Sequence, residues 1–200
     1  MEKLESGRRE RKDMLRNLER VLEAANELFA ERGSGVTMEE VARRAGVGVG
    51  TVYRRFPSKE HLFAAVSDAV CHDTRSKLQQ ATATAPDSIT KLHALVYTFY
   101  VKIECQSALL DPAASESAPC SASALYADLH HMLTITIAEG QQQGMFAPGD
   151  LTIRAALCAE LMTPRTFHHL RQITGWDAES IAEQVTQFML QGLGVGEQHE

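Results

Sequence analysis

The sequence of 200 residues predicts an all-α fold. Apolar residues recur at intervals of three and four positions through most of the chain, which is the pattern of a helix that buries one face. Residues that favour helix N-caps precede several of these stretches, and Gly or Pro follows them. No segment alternates apolar and polar residues over the length of a convincing strand. The chain is therefore predicted to consist of helices throughout.

The first strong helical pattern runs from about Asp13 to Arg32 and ends at Gly33 and Gly35. Glycine after the last periodic residue is typical of a helix C-terminus. Residues 1–12 come before this helix and are polar, with four clustered basic side chains. We interpret them as a flexible arm.

Residues 37–56 hold two short predicted helices joined by a glycine turn. Thr37 is a good N-cap residue, and Glu40 three positions later completes a capping box. Gly46 breaks the first helix, and Pro57 stops the second. This is the outline of a helix-turn-helix, whose second helix lies in the DNA major groove. Many proteins that never contact DNA contain the same outline.

The second of these helices divides its side chains between two faces. Val52 and Phe56 can pack inward, whereas hydroxyl and basic side chains face outward. Hydroxyl groups suit phosphate oxygens, and Arg suits either phosphates or guanine edges. Lys59 follows at the start of the next helix, after the cap residue Ser58, where its ammonium and the backbone amides can share one phosphate. The outward set is Thr51, Tyr53, Arg54 and Arg55, and an exposed Arg pair is also common on a merely solvated face.

The rest of the chain continues the helical pattern. Residues 108–123 are rich in Ala, Ser and Pro and are predicted to form a loop, with one helical turn near its start. Pro164 lies inside a helical stretch and is expected to kink or split it. The predicted helices run from Ser58 to about Gln80, from Asp87 to the loop, over about 123–143, from Asp150 to about Thr174, and over about 178–192.

The formal net charge of −6 is unevenly distributed. Residues 1–63 hold 13 Lys and Arg against 11 Asp and Glu, whereas residues 64–200 hold 7 against 15. A mildly basic first third and an acidic remainder indicate two roles in one chain, although chance variation of solvated surfaces fits equally well. An acidic total by itself argues against a nucleic-acid binder, so the charge has to be read by region.

Several features predict a cytoplasmic protein that does not enter a membrane. No stretch contains the roughly 18 consecutive apolar residues that a membrane span requires. The first residues lack the apolar core of a secretory signal. Four widely spaced cysteines without a CxxC pair suggest reduced thiols.

From Leu18 to Val66 the sequence resembles the N-terminal domain of the TetR family of bacterial transcriptional repressors. The segments that carry the resemblance are VLEAANELFAERG, VTMEEVARRAGVGVGTVYRRF and PSKEHLF. The most specific run is Ala45 to Phe63, with its glycine turn, its Thr-x-Tyr, its aromatic residue and its Ser-Lys-Glu. The resemblance covers about the first third of the chain.

This resemblance implies a ligand-responsive repressor of the bacterial cytoplasm. Such a protein binds a palindromic operator as a homodimer, with two recognition helices in successive major grooves, and a small-molecule effector releases it. By similarity, Thr37 caps the supporting helix at the DNA backbone, and phosphates and bases are contacted from the second helix and from Lys59. The implied DNA-binding residues are Thr37, Gly48, Val49, Gly50, Thr51, Tyr53, Arg54 and Lys59.

One position departs from the family pattern, because Gly48-Val49 stands where many relatives carry a polar Ser-Lys pair. Val49 can make only an apolar contact, for example with a thymine methyl group. Base specificity is then expected to depend on Arg54, or on residues 1–12 reaching a minor groove. An unused tail explains residues 1–12 equally well.

The resemblance also implies two domains. Residues 13–65 would form the helix-turn-helix domain, with its motif at 37–56, and residues 66–200 a larger helical domain for effector binding and dimerisation. Ordinary core packing explains each candidate residue of the larger domain as well. The candidate pocket residues are Phe63, His93, Tyr97, Tyr100, Cys105, Met132 and Phe167, and the candidate dimer residues are Ile181, Val185, Phe188 and Met189.

We expect no metal site, no cofactor and no enzymatic activity. The pairs His130-His131 and His168-His169 are adjacent and lack the i, i+4 spacing of a helical zinc site. The sequence contains no P-loop, HExxH or GxSxG motif. The alternative to a DNA-binding regulator is a helical protein-interaction module that keeps the helix-turn-helix only as a scaffold.

Overall fold

The computed structural model describes residues 2–110 and 120–194. Within these ranges the chain forms nine α-helices and one 3-10 turn at Gly33–Gly35, and it forms no strand. The predicted all-α fold is thereby confirmed. The helices are α1 (Glu2–Arg32), α2 (Met38–Ala45), α3 (Val49–Arg55), α4 (Lys59–Thr84), α5 (Ser88–Leu110), α6 (Cys120–Gln142), α7 (Leu151–Leu161), α8 (Pro164–Thr174) and α9 (Ala178–Leu193).

Helix α1 begins at Glu2 rather than at about Asp13. The segment that we interpreted as a flexible arm is therefore helical from its second residue onward. The reason is composition, because Glu, Lys, Arg and Leu all have high helix propensity and only Gly7 opposes them in this stretch. A polar segment without apolar periodicity can thus be the N-terminal extension of a helix whose later residues are held in place by packing.

Helices α1, α2 and α3 pack around a small apolar core that the first turn of α4 completes. The capping box at Thr37 is present: Thr37 Oγ1 accepts from the amide of Glu40 at 3.3 Å, and Glu40 Oε2 accepts from the amide of Thr37 at 2.9 Å. This cap starts α2 where the sequence predicts it. Fully buried core side chains come from all four helices: Ala25, Phe29, Val41, Val52 and Leu62.

The turn between α2 and α3 depends on Gly46, which has φ 65° and ψ 39°. This left-handed conformation is one that residues with a Cβ rarely adopt. Space is lacking as well, because a Cβ at this position would lie 2.5 Å from Nη2 of Arg20. The amide of Val47 then donates to the carbonyl of Ala42 at 3.0 Å, which closes the end of α2.

Helix α5 is the central helix of the body, by which we mean α4–α9. It packs against α4, α6 and α9, and also against α1 and α8. Its buried side chains include Leu92, Leu95, Phe99 and Ile103, which repeat at helical spacing. The predicted boundary between the domains, at residues 65 and 66, falls inside α4, so one continuous helix belongs to both parts.

Helix α5 is kinked at Gln106, whose φ of −142° and ψ of 29° are not helical. Nε2 of Gln106 donates to Oδ1 of Asn26 on α1 at 3.1 Å. Beyond the kink, Oγ of the buried Ser67 on α4 donates to the carbonyl of Leu109 at 2.6 Å. Two hydrogen bonds thus attach the end of α5 to α1 and α4.

The break that the sequence predicts at Pro164 separates α7 from α8. Pro164 is the first residue of α8, where its missing N–H costs no intrahelical bond. Thr163 caps the new helix by accepting from the amide of Thr166 at 3.2 Å. Of the predicted loop at 108–123, residues up to Leu110 belong to α5 and residues from Cys120 onward to α6, while 111–119 lie outside the described residues.

Among the helices that the structure describes, none combines the length and the apolar character needed to cross a lipid bilayer.

The left-handed turn generates a stability prediction. We expect Gly46→Ala to lower the free energy of unfolding by about 1–2 kcal/mol or more, because a Cβ is strained at this φ and displaces Arg20. Gly50→Ala is the matched control. Gly50 lies within helix α3 with nothing within 4 Å of a Cβ, so this change should leave stability equal or slightly higher. Urea unfolding measures both variants, and equal stability of the two would contradict the prediction.

Candidate nucleic-acid interface

Helix α3 presents the two faces that its sequence predicts. Val52 is fully buried, and Phe56, which follows the last turn, is 7% exposed. Tyr53, Arg54 and Arg55 are all exposed to solvent. The buried pair fixes the rotation of a helix only seven residues long, so the hydroxyl and both guanidinium groups must face solvent.

The start of α3 is open backbone with little side chain in front of it. Gly48, Val49 and Gly50 are all exposed, and no side chain caps the helix. A Cβ at Gly50 would meet nothing within 4 Å, and one at Gly48 would meet only Oγ1 of Thr51, at 4.0 Å. Packing within the chain therefore does not require either glycine. Their absent side chains leave room for another molecule to approach the backbone closely.

The remaining predicted contact residues lie at helix N-termini on either side of α3. Thr37 is exposed as the N-cap of α2, and Lys59 is half-buried as the first residue of α4. Ser58 caps α4 by accepting from the amide of His61 at 3.5 Å. N-terminal helix ends with hydroxyl and ammonium groups are suited to bind phosphate.

The negative charge of Glu40, the carboxylate of the capping box, is partly neutralised by a neighbouring arginine. The hydrogen bond from the backbone of Thr37, and then the contact with Arg32, lower the pKa of the Glu40 carboxyl from its usual value. Nη1 of Arg32 lies 3.0 Å from Oε1 of Glu40. The Glu40 carboxylate thus interacts with the backbone of the cap and with Arg32.

A residue that the sequence reading did not single out, Glu39, adjoins this surface. Its Oε1 accepts a hydrogen bond from the hydroxyl of Tyr53 at 3.5 Å. The two residues are 14 positions apart and belong to α2 and α3, so no local pattern connects them. The sequence did give one indication that Glu39 lies near this surface, because the residue falls in the first turn of α2, the helix that supports α3.

A cleft of about 590 Å³ opens between α1 and α3. Most of its lining is apolar, and it lies against the buried side of α3 rather than within the body. Its apolar lining consists of Met14, Leu15, Leu18, Val21, Val52 and Phe56. The polar side chains that line it come from α1 and, on α3, from Thr51, Arg54 and Arg55.

The structure does not bring the seven candidate pocket residues into one enclosed site. His93, Tyr97 and Cys105 are exposed on α5. The rings of His93 and Tyr97 stack at 6.1 Å on the surface, and the Tyr97 hydroxyl donates to Oε1 of Glu179 at 2.6 Å. These three residues lie on the outer side of the helix because the inner positions carry the apolar core.

The other four candidates are wholly or partly buried. The Phe63 ring packs edge-on against Phe29 at 5.1 Å, and Met132 packs against the core. Tyr100 and Phe167 are fully buried, with ring centroids 5.4 Å apart. The Tyr100 hydroxyl donates to the carbonyl of Leu161 at 2.6 Å, and burial raises the pKa of this phenol. Among these four buried candidates, Tyr100 and Phe167 are the two whose rings the structure shows in contact.

The predicted dimer residues also divide. Ile181, Val185 and Met189 are buried within the protomer, since α9 packs along α5, and they are core residues rather than a free surface. Phe188, in contrast, is 65% exposed. Two further apolar side chains are exposed one turn apart on the neighbouring helix α7, Ile153 at 61% and Leu157 at 62%. The spacing of apolar residues along α9 did not show that Phe188 lies outside the face that the fold buries.

Across residues 2–110 and 120–194, no three His, Cys, Asp or Glu side chains lie close enough together to hold a metal ion.

Comparison with known proteins agrees with this geometry. Residues 21–66 match the family model of bacterial regulatory proteins, tetR family. A segment of 88 residues is 38% identical to the HTH-type transcriptional activator FasR of Mycolicibacterium smegmatis, covering 44% of this chain and 40% of that protein. A segment of 85 residues is 35% identical to the HTH-type transcriptional repressor KstR2 of Rhodococcus jostii, covering 42% of each chain. The chain thus spans about two fifths of the length of these curated relatives.

Solved structures share the whole fold. A putative transcriptional regulator from Saccharomonospora viridis in complex with choline superposes with a TM-score of 0.74 at 22% identity, over 86% of this chain and 94% of that one. The regulator FadR from Bacillus subtilis in complex with stearoyl-CoA superposes with a TM-score of 0.71 at 16% identity, over 88% and 98%. At these identities the similarity is one of fold.

Residues 21–66, which form the capped support and the exposed recognition helix, are also the residues that match the family. The helix-turn-helix segment of this chain is therefore similar to that of bacterial regulatory proteins of the tetR family, and the chain as a whole shares the fold of solved transcriptional regulators.

Proposed function

We propose that the protein is a repressor in the bacterial cytoplasm that binds a palindromic operator as a homodimer and is released by a small-molecule effector. The observation that carries the proposal is the division of α3 into a buried Val52 and an exposed Tyr53, Arg54 and Arg55. A seven-residue helix with this division is too exposed to serve as core. Its position after a glycine turn is that of a recognition helix in a helix-turn-helix.

The outward residues fall into two chemical classes. Thr37, Thr51, Tyr53 and Lys59 offer hydroxyl and ammonium donors for phosphate oxygens, which position the protein without reading sequence. Arg54 offers a guanidinium that fits a guanine edge. The glycines at the start of α3 let the backbone approach the groove, and Val49, 40% exposed between them, suits a thymine methyl group.

The homodimer is proposed to form through α7 and α9. Ile153 and Leu157 stand one turn apart on α7, and Phe188 is exposed on α9, which packs against α7. Exposed apolar side chains that cluster on packed helices mark an interface more often than a solvated surface. A dimer would carry two copies of α3, and helix-turn-helix dimers bind half-sites about 34–36 Å apart or multiples of that distance.

Effector release requires a connection from the body to α3, and α5 supports one. Its kinked end is hydrogen-bonded through Gln106 to Asn26 on α1 and through Leu109 to Ser67 on α4. An effector that moves the kink would change the position of α1 and of the start of α4 relative to helices α5–α9. Couplings of this kind amount to about 1–3 kcal/mol.

The acidic body favours a neutral or cationic effector over an anionic one, because residues 64–200 hold 15 Asp and Glu against 7 Lys and Arg. The direction of control is also part of the proposal, since one relative is named an activator and another a repressor.

Site selection from a random DNA pool with the purified protein tests DNA binding. Tyr53→Phe and Lys59→Ala are expected to weaken binding to the selected operator and to random duplex by similar factors, since phosphates carry no sequence information. Arg54→Ala is expected to cost about 1–3 kcal/mol and to relax preference at one base position. Arg165→Ala, an exposed arginine on α8, is the control and should change neither.

Two outcomes would contradict these assignments. Relaxed base preference in Tyr53→Phe or Lys59→Ala would mean that the altered residue reads bases. No affinity of the unaltered protein for any duplex at low salt would favour the protein-interaction module instead.

Substitution on the apolar face tests the dimer. We expect Phe188→Glu to yield monomers in sedimentation experiments and to lose most of the operator affinity, because a desolvated carboxylate would face its own copy across the axis. Ile135→Glu, an exposed apolar position on α6, is the control and should leave the oligomeric state unchanged. A Phe188→Glu protein that remains dimeric would place the interface elsewhere.

A further inference from the structure

The hydroxyl of Tyr53 already has a hydrogen-bond partner in the absence of DNA, and that partner is an anion. It donates to Oε1 of Glu39 at 3.5 Å, with both side chains exposed to solvent. We propose that Glu39 limits the affinity of the protein for DNA by holding the Tyr53 hydroxyl and by repelling the phosphate that would replace it. This inference rests on the proposed function, in which Tyr53 donates to a phosphate.

The geometry forces the carboxylate and the phosphate close together. A phosphate oxygen that accepts from the Tyr53 hydroxyl lies about 2.7 Å from it. With Tyr53 and Glu39 as they stand, this oxygen can be no more than about 6 Å from Oε1 of Glu39. That separation is shorter than the Debye length of about 8 Å at physiological ionic strength, so salt screens the repulsion only in part.

The close ion pairs near the start of α2 involve carboxylates other than Glu39. The acidic groups around α2 are mostly paired: Glu40 with Arg32 at 3.0 Å, and Glu27 with Arg44 at 2.7 Å. Among the ion pairs of the described residues, Glu39 takes part in none. Its carboxylate is thus exposed beside the Tyr53 hydroxyl, without an ion pair within 4 Å among those of the described residues.

The Glu39 carboxylate also stabilises helix α2. Glu39 lies in the first turn of α2, where a negative charge interacts favourably with the helix dipole. The residue therefore stabilises the supporting helix and opposes DNA binding at the same time. Because phosphates are alike at every sequence, the opposition applies equally to operator and to random duplex. Its effect is to keep non-specific binding weak while leaving base discrimination unchanged.

Binding titrations of the full-length protein test this. Glu39→Gln is expected to raise affinity for the selected operator and for random duplex by the same factor, about three- to tenfold at low salt, with a smaller gain at high salt. Glu183→Gln changes net charge identically on exposed α9, and should leave affinity nearly unchanged. Glu39→Asp keeps the charge but shortens the side chain, and should give a smaller gain than Glu39→Gln. Circular dichroism confirms that each variant is folded.

A double-substitution cycle separates the effect of the hydrogen bond between Tyr53 and Glu39 from the effect of charge repulsion between Glu39 and phosphate. In a Tyr53→Phe background the gain from Glu39→Gln should shrink, because no hydroxyl remains to be released. An equal gain in both backgrounds would overturn the hydroxyl exchange. Unchanged affinity of Glu39→Gln, with DNA binding otherwise intact, would overturn the inference alone. Absence of any DNA binding by the unaltered protein would overturn the proposed function and this inference together.

Discussion

The left-handed turn at Gly46 is the constraint on which the recognition surface depends. It ends α2 and redirects the chain, and α3 then begins three residues later at a fixed angle. From that angle Val52 enters the core, so Tyr53 and Arg54 must point outward. The proposed contacts of α3 with DNA thus follow from one backbone conformation that only glycine adopts without strain. The capping box at Thr37 fixes the other end of the same supporting helix.

The body depends on α5 in a comparable way. Its apolar residues form the centre of the helical packing, and its end carries the polar contacts to α1 and α4. Buried hydrogen bonds hold a defined geometry because leaving either partner unsatisfied is costly. In the proposed effector response, a change in the body that alters the kink at Gln106 would reach α1 and α4 through these two hydrogen bonds.

Many helix boundaries, and the two faces of α3, could be predicted from sequence because their signals are local. The caps at Thr37, Ser58 and Asp150, the break at Pro164 and the two faces of α3 all follow from residue chemistry within a few positions. The pocket and dimer candidates could not be placed this way. Ile181 and Phe188 share the same apolar period, and only the packing of α5 decides which is buried. The contact of Glu39 with Tyr53 likewise depends on the angle between two helices.

The polar contacts at the end of α5 also bear on how such regulators can be recombined. The exchange of DNA-binding segments between related proteins would separate Asn26 from Gln106, which lie on opposite sides of any junction near residue 65. A chimera that lacks an acceptor at position 26 would lose this part-buried hydrogen bond, at a cost of about 1 kcal/mol. An exchange of the helix-turn-helix segment is therefore expected to be better tolerated when Asn26 and Gln106 are kept together.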